Sequence, residues 1–177
     1  MTSFDIKSPL TRPGGAGGTS FVEPASGADD PRASGAARTL MQLFLDRTGG
    51  GRFLRRSDFT PADIKKYLPN IIILDLIYDD DEKVCDATVR LMGSALAGFY
   101  GEYTGQSVLD HPASSGERFL QSAQLAIDTG GTVIGGAEQP TPGDSFYKVA
   151  TLVVPVADDA GAIIQMICHV QLFTQSG

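Results

Sequence analysis

The chain has 177 residues, 42% of them hydrophobic, with 14 basic side chains against 21 acidic ones and a formal net charge of -7. This length suits one domain plus a tail, and the apolar share is enough for a core. No Lys/Arg block offsets the acidic excess, which disfavours nucleic acid and anionic lipid as partners. No apolar run approaches the ~20 residues that span a bilayer, and no basic-then-apolar start marks a secretory signal, so a cytoplasmic location is expected.

Residues 1–34 are rich in Gly, Pro, Ser, Ala and Asp. Arg12-Pro13-Gly14-Gly15-Ala16-Gly17-Gly18-Thr19 has too little apolar surface to offset ordering entropy, so a disordered arm is expected. A phosphate loop is the competing reading, but no Lys follows these glycines and no strand-like run precedes them. Ala37, Leu40, Met41, Phe44 and Leu45 recur at helical spacing, and Gly49-Gly50-Gly51 closes the pattern. An amphipathic flanking helix is predicted within 35–51, ahead of a folded domain over 52–175.

A short second helix is predicted after Thr60, with Pro61 at its first position, Phe59 stapled on Ile64 and Pro69 as the stop. Asn70–Tyr78 and Val84–Met92 then read as two strands of a hairpin around the turn Asp79-Asp80-Asp81-Glu82-Lys83. That turn lacks the spaced ligands and glycine of a calcium loop. Ser94–Tyr100 reads as a short helix closed by Gly101. Ser114 and Glu117 form a capping box for a helix whose apolar face is Phe119, Leu120, Ala123, Ala126 and Ile127. Strands are predicted over 132–138, 145–156 and 162–173, the last two joined by the turn Asp158-Asp159-Ala160-Gly161. Helices gathered between two sets of hairpin strands predict an α+β fold with an antiparallel sheet. Cys85 and Cys168 both fall in strand-like runs and are expected to be reduced and buried.

Several segments sharpen this pattern. Leu54-Arg55-Arg56-Ser57-Asp58-Phe59, Pro61 and Leu68-Pro69 come first. Arg90-Leu91-Met92-Gly93-Ser94-Ala95-Leu96, Phe99-Tyr100-Gly101 and Thr104-Gly105 follow, with Pro155 near the end of a strand. Over residues 52 to 173 the chain resembles PAS domains, in particular a bacterial subfamily of small single-domain PAS proteins. The resemblance implies a five-stranded antiparallel sheet with helices inserted between its second and third strands. It also implies sensing, small-ligand binding and docking to a signalling partner, with no enzymatic activity and no particular cofactor.

The candidate pocket residues are Leu91, Leu96, Phe99, Tyr100, His111, Phe119, Ala123, Met166 and Cys168. Strand alternation sets Val89 beside Leu91, and Met166 beside Cys168 and Val170. A solid core is the competing reading for each. The Asn-Cys-Arg motif of flavin-adduct PAS domains is missing. Of the two histidines, His111 is the better haem-ligand candidate and a candidate pH switch, while His169 is assigned to the outer sheet face, at the surface. Ser114, Ser115, His111 and Asp110 supply hydrolase residue types, but they crowd one loop, and the Ser114 cap explains the serine.

Ile163, Ile167 and Phe173 give that outer face more apolar surface than a solvated one should carry. The helix bearing Leu40, Met41 and Phe44 is expected to cover it, and a homodimer built on this helix is predicted. The alternative function is an isomerase-like pocket enzyme, which needs a buried carboxylate opposite Tyr100 or Tyr147. Asp75 and Asp86 are the candidates, and alternation sets both on the outer face.

Overall fold

The computed structural model describes residues 20–49, 53–110, 115–140 and 146–174. Five long strands form its centre: β3 (Ile71–Tyr78), β4 (Val84–Met92), β5 (Val133–Pro140), β6 (Phe146–Ala157) and β7 (Ile163–Thr174). Each neighbouring pair is antiparallel, in the spatial order β5-β6-β7-β3-β4. The helices α2 (Ser94–Tyr100) and α3 (Ser115–Thr129) are inserted between β4 and β5, the second and third of these strands. The protein therefore has an α+β, PAS-like fold.

Two further strands extend the sheet. β1 (Ser20–Pro24) pairs antiparallel with β5, and the two-residue β2 (Leu54–Arg55) pairs parallel with the end of β6. β1 lies inside the stretch expected to be a disordered arm. Its anchor is a glycine: a β-carbon on Gly136 would sit 2.4 Å from the Phe21 ring, so that ring fills the place of the missing side chain. Residues 1–19, the rest of the expected arm, lie outside the described residues.

The turn after β1 is tied by Asp30, whose side chain is fully buried. Its carboxylate accepts from the backbone N–H and hydroxyl of Ser26 and from the backbone and guanidinium of Arg32. Arg32 also bridges to Glu23 on β1. Ser34 then caps α1 (Gly35–Thr48) by accepting from the Ala37 N–H at 3.1 Å, and Gly49 ends it in a left-handed conformation.

The sheet carries a layer on each face. On the inner side α2 and α3 enclose Leu74, Val89, Leu96, Ala123, Met166 and Cys168. On the outer side α1 lays Leu40, Met41 and Phe44 against Ile134, Leu152, Val154 and Ile167 of the same chain. α1 thus covers the outer face of its own sheet.

Local irregularities overturn several expected faces. In β4, Ile73 pairs with Leu91 but Leu74 pairs with Val89. Arg90 is the extra residue of a bulge, and alternation reverses there. Leu91 consequently packs on the outer cluster and Val89 on the inner one. At the start of β7 the skipped residue is Ile164, so Ile163 turns into the inner cluster while Ile167 stays outside.

The short helix expected after Thr60 is instead a turn, followed by a 3-10 helix at Lys65–Asn70 that contains Pro69. Asp63 takes the Thr60 N–H and hydroxyl, holding Thr60 in the turn rather than as a helix cap. Phe59 and Ile64 still enter the outer core. His169 lies on the outer face as expected, but it is only 4% exposed. The Tyr67 ring, carried by that 3-10 segment, meets it edge-on at 6.2 Å. Both cysteines are free; Cys168 is buried and Cys85 is exposed. No described helix is long and apolar enough to cross a membrane.

Candidate functional site

Most inward positions of the sheet are tightly packed. Leu74, Ala87, Val133, Met166 and Cys168 have essentially no exposure. Burial pushes the Cys168 thiol above its ordinary pKa, so it stays protonated.

A partly open cavity of about 60 Å³ remains between this face and α3. Its origin is legible in β5. Val133 and Ala137 face inward, and Gly135 between them contributes no side chain. Gly135 pairs with Thr151 of β6, and Thr151 pairs with Val170 of β7. The floor is therefore a row running from Val22 on β1 through Gly135 and Thr151 to Val170.

Phe119 and Ser122 of α3 form the opposite wall, while Met92, Tyr100, Tyr103 and Val108 close one end. α3 approaches Val108 closely because Gly116 sits at the contact: a β-carbon there would lie 2.3 Å from the Val108 carbonyl oxygen.

The lining is mostly apolar, with a few polar groups. The Ser122 hydroxyl donates to the Arg118 carbonyl at 2.7 Å, which leaves its oxygen as an acceptor. Thr151, inward-facing on β6, has no side-chain hydrogen bond among the described residues. Arg118 also borders the cavity; it is partly exposed and engaged by another group.

The residues singled out by sequence fall into five groups. Tyr100 and Phe119 line the cavity. Leu96, Ala123, Met166 and Cys168 belong to the inner core without bordering it. Leu91 is on the other side of the sheet, sent there by the bulge at Arg90. Phe99 is 45% exposed, because it faces away from the sheet at the end of α2 and stacks edge-on with Tyr100 at 4.9 Å. His111 lies outside the described residues, as does Ser114 of the hydrolase set.

Sequence reasoning missed Val22, Gly135, Ser122 and Thr151. The available signal was the pair Gly135-Gly136 inside a strand, which marks a gap or a close approach. Neither carboxylate of the isomerase reading reaches the cavity. Asp75 accepts from the Gln165 amide at 2.6 Å and pairs with Arg90 at 3.2 Å on the outer face. Asp86 accepts from the Ser107 hydroxyl at 2.7 Å.

No protein-family model matches the chain, and no curated protein matches it. Among solved structures it is similar to one described as an RNA-binding light-oxygen-voltage receptor, at 17% identity and a TM-score of 0.44. That alignment covers 86% of this chain and 38% of the receptor chain.

Proposed function

We propose that this chain is a non-enzymatic sensory module that holds a small molecule between its sheet and α3 and reports occupancy to a signalling protein. The observation that carries the reading is the cavity itself, a gap between the inner sheet face and α3, floored by Gly135 and Thr151 and walled by Phe119. Apolar lining with a few convergent polar groups is the usual build of a binding site. Its position supports transmission as well. β1 supplies Val22 to the cavity and leads through the Asp30 turn into α1 on the opposite face. Occupancy and the outer surface are therefore joined by one short stretch of chain.

Native mass spectrometry of the freshly purified full chain is the test, because it reports subunit count and bound small molecules together. The expected result is a fraction carrying a defined mass increment that Phe119→Ala or Gly135→Val removes. A single unliganded mass from several preparations, together with no response of cavity residues to any small molecule by NMR, would refute the reading.

A further inference from the structure

We infer that the cavity selects a short-chain, uncharged molecule with one oxygen function, an alcohol or carbonyl compound, anchored at Thr151. This rests on the binding reading above and names the ligand class. Size is the first constraint. The enclosed part of the cavity is about 60 Å³, room for about five water-sized spheres. Drug-sized ligands occupy sites on the order of 300 Å³ or more. What the cavity encloses is therefore a few carbon atoms in size.

Polarity is the second constraint. Thr151 presents a hydroxyl that no described group satisfies, on a floor otherwise made by Val22, Gly135 and Val170. Thr151 is half-buried in this partly open cavity, so water serves its hydroxyl until a ligand takes that place. On a floor otherwise apolar such a water finds few protein partners and is readily displaced. A molecule with an apolar body and one oxygen satisfies the floor and the hydroxyl together. The Ser122 oxygen accepts if that molecule also donates, as an alcohol does.

Charge is the third constraint. An ion entering apolar surroundings needs a buried partner. The charged residue bordering the cavity is Arg118, which is partly exposed and engaged by another group.

The experiment is methyl NMR on the full chain, following Ile72, Val149 and Val170. The probes are 1-butanol, 2-butanone, butyrate, benzene and xenon. The expected result is saturable shifts with butanol and butanone and none with butyrate at the same concentration. Thr151→Val, nearly isosteric, should weaken both by about 2–10-fold, the worth of one neutral hydrogen bond, while xenon still shifts the same methyls.

Butyrate binding more tightly than butanol would overturn the inference in favour of an anionic class. Benzene binding most tightly, with Thr151→Val equal or better, would overturn it in favour of a purely apolar class. In both cases xenon would still shift the three methyls and the binding reading would stand. No response to xenon or to any other probe would remove the site itself.

Discussion

A β-carbon built on Gly93 would lie 2.1 Å from the carbonyl oxygen of Leu68 and 2.4 Å from that of Pro69. Both neighbours are backbone, so no side-chain rotation relieves the contact. The same residue donates its N–H to the Ile71 carbonyl at 2.8 Å and precedes α2. It thus pins the end of β4 against the 3-10 segment. Gly93→Ala should destabilise the protein by about 3 kcal/mol, the upper end of overpacking penalties. Urea unfolding with an unchanged m-value would measure this; a loss under about 0.5 kcal/mol would show that the segments slide apart freely. The sequence flagged Gly93 within a family-like motif, but not its reason, because the Leu68 carbonyl reaches it only once Pro69 has turned the chain. Thr151 was invisible for a related reason: a Thr in a strand is ordinary until the residue across from it proves to be glycine.

Among elements, α1 shows how one helix divides its labour. Leu40 is fully buried against the outer sheet face, while Leu45, on the same helix, is 51% exposed. Leu40→Ala should cost about 2–5 kcal/mol through transfer and cavity terms. Leu45→Ala should stay within about 0.5 kcal/mol of the parent. Equal losses at the two sites, read from denaturant midpoints, would mean that α1 docks by another face. Removing residues 1–49 should expose Ile134, Leu152, Val154 and Ile167 at once. The expected outcome is self-association in solution and binding of an apolar dye, and a well-behaved monomer that binds none would contradict it.

The long strands, α1 and α3 were readable because each has a sustained period and clear end signals. Three things were not. β1 has the composition of a linker and owes its place to Phe21 lying over Gly136. The bulges at Arg90 and Ile164 leave no mark on an apolar run, yet each moves a residue through the sheet, Leu91 outward and Ile163 inward. The turn at Thr60 carries helix-start residues, but Asp63 captures the capping hydroxyl.

For the molecule as a whole, the outer layer sets the response to acid, because two groups there hold protons more weakly folded than unfolded. Burial lowers the pKa of His169, whose Nδ1 has no partner beneath the Tyr67 ring. The Asp30 carboxyl is held well below the ordinary carboxylate range, first by its bond from the Arg32 side chain and then by the Ser26 N–H. In each case the unfolded chain takes up the proton more readily, so acid favours unfolding. The windows differ. The His169 contribution is complete above the unfolded histidine value of about 6.5 and is lost as pH falls from there toward its folded pKa. The Asp30 contribution is complete above about 3.9 and disappears below it. The pKa values of Asp63 and Glu102, lowered chiefly by bonds from Thr60 and Thr104, add to this lower step. Unfolding free energy measured from about pH 8 down to about pH 3 should therefore decline in two stages. His169→Phe keeps an aromatic ring edge-on to Tyr67, removes the unpaired nitrogen and should flatten the upper stage. Asp30→Asn should lower stability at neutral pH, by loosening the turn between β1 and α1, and shrink the lower stage. If His169→Phe leaves the upper stage intact, the proton uptake belongs to another histidine. The burial of His169 under the 3-10 segment would then have no part in the acid response.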